Sequence, residues 1–287
     1  MNSAVSINES QRGAGTLYIV ATPIGNLGDL SPRAAEVLSR VDFIAAEDTR
    51  VTLKLLNHIG VKKPIISCHR HNEAQRIDMI MERIRDGQNC ALCSDAGTPT
   101  LSDPGEEIVR SAHESGITVI PIPGPAAAVA ALSASGLFSG RFCFEGFLPT
   151  NRKTRQARLL AIMDEQRTLL FYEAPHKLKN TLRDLLNHLG DRETVVAREL
   201  TKIHEEIVKT TLSAALHDCE QTEPRGEYVL VVAGRPSDRE NEYTMEDAVA
   251  MAKALTEDGF SPSAAARAAA KETGFPRSEL YRAVIHD

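Results

Sequence analysis

The strongest constraint on the fold comes from one segment, Ser94-Asp95-Ala96-Gly97-Thr98-Pro99-Thr100-Leu101-Ser102-Asp103-Pro104-Gly105. It follows a short apolar run at residues 90–93, which predicts a buried strand, and it precedes a predicted helix at residues 106–115. Ligands of open α/β sheets bind at the carboxyl ends of strands. Glycine allows close backbone approach, and proline stiffens a turn so that less entropy is lost on binding. The segment therefore predicts a ligand-facing loop, although any strand-to-helix connection can be rich in glycine and proline.

Two further loops have the same order of apolar strand, Gly/Pro-rich loop and helix start. Residues 17–21 lead into a loop at 22–30, and residues 118–120 lead into a loop at 121–125. Three such loops along one edge of a sheet would form a pocket walled by backbone. None of them contains a lysine, and the chain has neither GxGxxG after a strand nor GxxxxGK[ST]. The pattern disfavours Rossmann and P-loop nucleotide sites and favours a ligand with little negative charge.

Composition places the chain among globular proteins. Its 287 residues, 42% hydrophobic and 25% charged, suffice for two domains or one large one. No apolar run reaches the roughly 18 residues of a membrane span, so we expect no membrane association. An odd number of cysteines, five, predicts reduced core thiols in a cytoplasmic protein. The pair Cys90 and Cys93 is expected to be buried in a strand rather than to bind a metal, because no second pair lies at zinc spacing.

The predicted elements divide the chain into four parts. Residues 1–15 are polar and are expected to form a loose tail. Residues 16–136 alternate strand and helix, which predicts a mainly parallel sheet covered on both faces. Residues 137–236 predict a second α/β domain, with a mixed sheet and a hairpin, that ends in a linker at 234–238. Residues 242–287 predict a helical extension with a helix-turn-helix outline around Gly274, which can be a nucleic-acid reader or a plain packing unit.

Charge is unevenly distributed. The net charge of −6 argues against indiscriminate nucleic-acid binding. Basic residues nevertheless cluster in two places, where they can contact phosphates or simply form solvated helix faces. These are Arg152, Lys153, Arg155 and Arg158, and then Arg267, Lys271, Arg277 and Arg282.

Eight segments together resemble the tetrapyrrole methylase superfamily, whose members bind S-adenosylmethionine between two unlike α/β domains. The segments cover nearly all of residues 16 to 234: they are 18–27, 47–50, 94–105, 123–125, 144–149, 172–177, 198–202 and 226–232. Within the superfamily, the chain is similar to members that methylate the ribose 2′-oxygen of a cytidine in the decoding region of 16S ribosomal RNA. The resemblance implies the same fold, a homodimer, and ribosomal RNA as substrate. We expect the RNA to be recognised within an assembled small subunit, because naked RNA offers the same base with the wrong shape.

The main cofactor loop departs from the pattern of the tetrapyrrole enzymes. Those enzymes usually carry Gly-Asp-Pro there, and the nearest match here is Gly97-Thr98-Pro99. Asp95 is the closest candidate for the role of the missing aspartate. The departure moves the expected substrate away from corrins and porphyrins.

The resemblance also implies which residues grip the cofactor. S-adenosylmethionine has a sulfonium cation and no phosphate, so lysine-free, backbone-rich loops near carboxylates suit it. The implied contacts are Pro23, Gly25, Ser94, Asp95, Ala96, Gly97, Thr98, Pro99, Ser102, Ala126, Ala127, Tyr172, Glu173, Gly226 and Glu227.

Catalytic candidates follow the second and third predicted strands. Most of the acceleration of methyl transfer can come from alignment, and a base that takes the hydroxyl proton adds typically about 10²- to 10⁴-fold. We expect Asp48 or His71 to act as base or to position it, with Arg50 on phosphate or transition-state charge. The alternative is that Asp48 caps the helix starting at Thr49, and that Asn72 or His71 caps the next.

Further basic residues are expected to contact the substrate. They are Arg70, Arg152, Lys153, Arg155, Arg198 and Lys202. Two other functions stay open: a methylase of a corrin or porphyrin precursor, and a metabolite-sensing regulator whose C-terminal helices bind nucleic acid. Hydrolysis is unsupported, because no residues have Ser-His-Asp or metal-hydrolase spacing.

Overall fold

The computed structural model describes residues 13–70, 72–236 and 243–285. Their contacts divide these residues into two compact units. The larger unit runs to Met163 and continues through Arg167–Ala233. The smaller unit consists of Asp164–Gln166 and the residues from Gly234 onward. Most of the expected tail and part of the expected linker lie outside the described residues. Within the described part, no helix combines the length and apolarity that crossing a membrane requires.

The first domain is built on a parallel five-stranded sheet, as expected. Its strands are β1 (Thr16–Val20), β2 (Phe43–Ala46), β3 (Ile65–Ser67), β4 (Cys90–Cys93) and β5 (Thr118–Ile122), in the order β3-β2-β4-β1-β5. The intervening helices are α1 (Pro32–Arg40), α2 (Thr49–His58), α3 (Glu73–Arg85) and α4 (Glu106–Glu114). Because all strands run the same way, the loops after β1, β2 and β4 emerge at one edge.

Both faces of this sheet are covered by helices. The apolar side of α3 places Ile80, Met81 and Ile84 in the core with Ile108 of α4. On the opposite face, α1 and α2 supply Leu38 and Leu56, among others. Cys90 and Cys93 lie three residues apart on β4 and are buried in the two opposite clusters, because side chains alternate across a strand.

The second domain contains a mixed sheet, also as expected. Its strands are β6 (Phe142–Phe147), β7 (Thr168–Glu173), β8 (Glu193–Arg198), β9 (Glu206–Thr211) and β10 (Tyr228–Val232), in the order β6-β7-β10-β8-β9. Strands β6 and β7 are parallel, and the other pairs are antiparallel. Helices α6 (Arg152–Ile162), α7 (Pro175–Leu189) and α8 (Leu212–Gln221) cover one face.

Two features of the second domain were not anticipated. Helix α8 was missed altogether: it begins directly after β9, with Thr211 as its N-cap. Helix α5 (Ala127–Ser135) follows the first sheet in sequence but packs on the free face of the second, where Ala131 and Leu132 meet β7 and β10. The expected domain boundaries at 136/137 and 236/242 stay predictions.

The C-terminal unit contains α9 (Met245–Glu257), α10 (Pro262–Thr273) and α11 (Arg277–Ile285). Thr244 and Asp247 form a capping box at the start of α9. The buried side chains are small, namely Ala248, Ala252, Ala266 and Ala269, with Leu280 from α11. The three helices thus pack around a core of small side chains, and whether the unit contacts nucleic acid stays open.

A buried carboxylate fixes the end of the loop at 94–105. The N-cap of α4 is Gly105, which has no side chain to cap the helix. The side chain of Glu73, from α3, takes the place of a capping side chain at the start of α4. Its Oε1 accepts hydrogen bonds from the backbone N–H groups of Gly105 (3.1 Å) and Ile108 (3.3 Å). Glu73 is 8% exposed, so these bonds form away from water.

We predict that Glu73→Ala lowers the free energy of unfolding by about 1–3 kcal/mol, because two buried donors lose their acceptor. Glu73→Gln keeps an acceptor oxygen and loses less. The control is Glu36→Ala, whose exposed pair with Arg40 contributes at most about 1 kcal/mol. Urea unfolding measures all three, and equal losses for Glu73→Ala and Glu36→Ala would contradict the role of Glu73.

Candidate active site

A cavity of about 460 Å³ lies where the strand-end loops of the first domain meet the second. The first domain contributes Ile24 and residues 95–98, and the start of α5 contributes Ala126 and Ala127. The second contributes Tyr172 from β7 and Val229 from β10. This volume is within the range of small-molecule and cofactor sites. The structure thus brings the three Gly/Pro-rich loops to one pocket.

Hydrogen bonds tie the three loops together. The backbone N–H of Thr22 donates to Gly97 O (2.8 Å), and that of Gly97 donates to Thr22 O (3.0 Å). The Thr98 hydroxyl donates to the carbonyl of Pro125 (3.0 Å) in the third loop. The cavity floor is therefore held before any ligand arrives, which reduces the entropy lost on binding.

Three carboxylates line the first-domain side of the cavity: Glu47 after β2, and Asp95 and Asp103 after β4. The Asp95 carboxylate accepts from the N–H of Asp48 (2.9 Å), and Glu47 Oε2 accepts from the N–H of Asp95 (3.3 Å). Burial, with the like charge of Glu47, raises the pKa of Asp103 to about 6. Burial also raises the pKa of Glu47.

Cations do not line this cavity in the described part of the chain: none of its lining residues is a lysine or an arginine. Glu227 adds another carboxylate at the start of β10, and Glu173 is buried there, accepting from Ala174 N–H and the Thr181 hydroxyl. The site therefore suits a ligand that carries positive charge and no phosphate.

An aromatic group forms the second-domain wall. The Tyr172 hydroxyl oxygen accepts from the N–H of Ala128 in the first turn of α5 (3.1 Å). The rings of Phe144 and Phe147 meet Tyr172 edge to face, with centroids 5.1 Å and 5.6 Å away. Phe147 lines the cavity and is 54% exposed.

The structure gives Asp48 the capping role that the sequence left open. Its Oδ1 accepts from the N–H of Arg50 (2.8 Å) at the start of α2, and Arg50 Nη2 lies 2.5 Å from Oδ2. The hydrogen bonds from Arg50 lower the pKa of Asp48 to about 2, which makes it a weak base. Asp48 and Arg50 do not line the cavity. His71 lies outside the described residues, and Asn72 accepts from His69 N–H rather than from the helix.

The expected cofactor contacts fall into two groups. The first group lines the cavity: Asp95, Ala96, Gly97, Thr98, Ala126, Ala127, Tyr172, Glu173 and Glu227. The residues of the second group do not line the cavity: Pro23, Gly25, Ser94, Pro99, Ser102 and Gly226. Sequence reasoning missed Glu47 and Asp103, although both stand in the segments that carry the family resemblance.

Two residues of this second group, Gly25 and Ser102, lie in contacts between the domains. A Cβ built on Gly25 would lie 2.5 Å from Cγ of Lys202, and one on Gly146 would lie 2.5 Å from Oγ of Ser102. Lys202 in turn donates to Glu199 (2.8 Å) and Glu227 (3.0 Å), and its hydrogen bond lowers the pKa of Glu199. Lys202 thus joins the two domains beside the cavity.

The expected substrate contacts are dispersed. Arg155 bonds Asp184 (2.6 Å) and Thr181 (2.8 Å) on α7, and its side chain is only 16% exposed. Its expected contact with the substrate stays a prediction. Arg198 pairs with Glu206 (3.2 Å). Arg70 is exposed near the loop, with Nη2 3.5 Å from Ser102 O. Arg152 and Lys153 are exposed along a shallow depression on α6.

A second cavity, of about 330 Å³, lies within the second domain between α7, α8 and the β8–β9 hairpin. It includes Arg198, Glu206 and Tyr228, but none of the three strand-end loops. None of the three carboxylates Glu47, Asp95 and Asp103 lines this second cavity.

Comparison with known proteins agrees with the fold of two α/β domains. The family model described as Tetrapyrrole (Corrin/Porphyrin) Methylases matches residues 16–216. The chain belongs to the tetrapyrrole methylase family. Among solved structures of this fold, cobalt precorrin-4 methyltransferase has a TM-score of 0.58 at 16% identity, covering 80% of this chain and 98% of that one. Uroporphyrin-III C-methyltransferase from Thermus thermophilus, complexed with S-adenosylhomocysteine, has a TM-score of 0.55 at 18% identity. The match covers 76% of this chain and 97% of that one.

Within the tetrapyrrole methylases, curated relatives are much more similar to this chain. A protein from Synechocystis sp. named ribosomal RNA small subunit methyltransferase I is 48% identical over 269 residues, which is 93% of this chain and 96% of that protein. A protein of the same name from Pseudomonas aeruginosa is 45% identical, over 95% of this chain and 97% of that protein. The chain therefore belongs to this branch of the tetrapyrrole methylase family.

We predict that Gly25→Ala destabilises the protein by about 1–3 kcal/mol, because the added methyl group overlaps Lys202. In a Lys202→Ala background the overlap is gone, so the same change should have little effect. A double-mutant cycle on the free energy of unfolding measures this coupling. An equal penalty in both backgrounds would show that Gly25 does not depend on Lys202.

Proposed function

We propose that this protein is an S-adenosylmethionine-dependent methyltransferase acting on the ribose 2′-hydroxyl of a cytidine in the decoding region of 16S ribosomal RNA. One observation carries the proposal: relatives with the name ribosomal RNA small subunit methyltransferase I are 43–48% identical over nearly the whole chain. The solved structures of tetrapyrrole methyltransferases are 16–19% identical to this chain, a level that shows the fold alone and gives no support for a tetrapyrrole substrate.

The residues of the cavity fit this cofactor. Carboxylates Glu47, Asp95 and Asp103 attract a sulfonium cation, and the absence of lysine and arginine among the described lining residues matches a ligand without phosphate. Ala126 and Ala127 leave space at the start of α5, and Leu200 offers an apolar wall on the second domain. These residues would hold the cofactor at the contact of the two domains.

The cofactor, when bound, supplies an already activated methyl group. The chain's own contribution is alignment and exclusion of water. The loops tied through Gly97 and Pro125 fix one wall, and Tyr172 fixes the other through its bond to Ala128. Holding an acceptor oxygen in line between such walls supplies most of the acceleration that a displacement needs.

An RNA substrate must present one nucleotide away from its neighbours to reach this cavity. Phe147 and Leu101 are exposed at the lining and offer apolar surface to a base. Exposed Arg70, Arg152 and Lys153 can contact phosphates, while the net charge of −6 disfavours naked RNA. An assembled small subunit is the proposed substrate, a homodimer the proposed active form, and the cytoplasm the proposed location.

The test is incubation with methyl-labelled cofactor and one of three acceptors: small ribosomal subunits lacking the modification, naked 16S RNA, or a tetrapyrrole precursor. We expect label in the subunits and, after nuclease digestion and mass spectrometry, 2′-O-methylcytidine. Label in the tetrapyrrole alone would support the second candidate. Tight duplex binding with a steep salt dependence and no turnover would support the regulator instead.

We predict that Ala126→Leu lowers cofactor affinity at least about tenfold, because the larger side chain occupies the cavity, and that methylation falls with it. The control, Ala130→Leu, adds the same side chain on the exposed side of α5 and should leave affinity unchanged. Calorimetry with S-adenosylmethionine measures both. Equal affinities of the two variants would place the cofactor elsewhere.

A further inference from the structure

We infer that Asp103 is the catalytic residue that accepts the proton of the ribose 2′-hydroxyl. This inference rests on the proposed function and adds the chemical role of a side chain that the sequence did not single out. Asp103 lines the cavity together with Tyr172 and Ala127. It lies on the loop after β4, at the edge where the strands of the first domain end.

The backbone holds Asp103 in one place. Thr100 and Ser102, which precede it, both have positive φ values, 74° and 72°. A side-chain-bearing residue in that region is strained by about 1–3 kcal/mol, and the strain persists only where the surroundings fix it. The fixing contacts are present: Gly105 N–H bonds to buried Glu73, and Ser102 packs against Gly146. Such strain concentrates at functional sites.

The surroundings of Asp103 make it a better base than an ordinary aspartate. Glu47 and Asp95 face it with like charge, and Arg70 faces it with opposite charge. The Ser94 hydroxyl donates a hydrogen bond to it. Burial and the negative neighbours together raise its pKa to about 6, so it is ionised at neutral pH and still binds a proton more readily than a solvated aspartate.

The other candidate bases are less suited. Asp48 is held by Arg50 outside the cavity, and its pKa is about 2. Asp95 already accepts from the N–H of Asp48, and Glu47 from the N–H of Asp95. Those two carboxylates thus secure the loops after β2 and β4, and their charges act on Asp103 through space.

The step balances. A carboxylate oxygen of Asp103 takes the hydroxyl proton as the ribose oxygen forms a bond to the methyl carbon. The carbon–sulfur bond breaks, its electron pair stays on sulfur, and the sulfonium charge is lost. Asp103 is left neutral and returns its proton to water after the product leaves.

The experiment compares Asp103→Asn with the matched change Asp48→Asn under single-turnover conditions on small ribosomal subunits. We expect Asp103→Asn to lower the rate of methylation by about 10²- to 10⁴-fold, and Asp48→Asn to change it by less than about threefold. Cofactor affinity, measured by calorimetry, should fall by no more than about tenfold with Asp103→Asn, because Asn keeps the shape of the side chain and Glu47 and Asp95 keep their charges. It should be unchanged with Asp48→Asn, which lies outside the cavity.

The pH dependence supplies a second readout. The base must be ionised, so the wild-type rate should fall tenfold per pH unit below a midpoint near 6, and Asp103→Asn should abolish that midpoint. A third readout needs no turnover: carbon-13 NMR of labelled aspartate carboxyls in the free protein should show one resonance titrating near pH 6 that disappears in Asp103→Asn.

Each contrary result is decisive. A normal methylation rate with Asp103→Asn overturns the role of Asp103. So does a pH–rate profile that keeps its midpoint near 6 in Asp103→Asn and loses it in Glu47→Gln. Neither result affects the proposed function. Loss of cofactor binding by Asp103→Asn makes the residue a cofactor contact instead. Wild-type protein that methylates no RNA at all overturns both this inference and the proposed function.

Discussion

The paired backbone hydrogen bonds between Thr22 and Gly97 are the interaction on which the site depends. They join the loops after β1 and β4, two neighbouring parallel strands whose carboxyl ends already lie side by side. The Thr98–Pro125 bond then adds the third loop. Because these contacts use backbone groups and a short side chain, the cavity has a fixed floor without long, flexible side chains that would have to be ordered on binding.

Much of this arrangement is local in origin, and so the sequence predicts it. The strand at residues 90–93 and the helix predicted at residues 106–115 depend only on local sequence, and both are confirmed. The two unlike domains and the family were also predicted correctly, because many ordered segments carry the resemblance. Helix α8 was not predicted, because Thr211 is both the last residue of β9 and the N-cap of the helix. No glycine or proline marks a break between the strand and the helix.

Long-range partners are what the sequence could not supply. Asp48 and Asp103 are both aspartates in loops after strands, and only the fold shows that one is bound to Arg50 while the other lines the cavity. Arg155 belongs to a basic cluster in sequence, but its carboxylate partner Asp184 lies 29 residues away. Helix α5 is rich in alanine and lacks an apolar stripe, so its sequence did not show which sheet it covers.

The glycines at the contact of the two domains have a consequence for how the site tolerates change. At Gly25 and Gly146 the neighbouring chain approaches closely enough to exclude a methyl group. Each contact joins main chain on one lobe to a side chain on the other, Gly25 to Lys202 and Gly146 to Ser102. The spacing of the two lobes beside the crevice therefore depends on both members of each pair, and a carbon added at either glycine must displace the side chain that faces it.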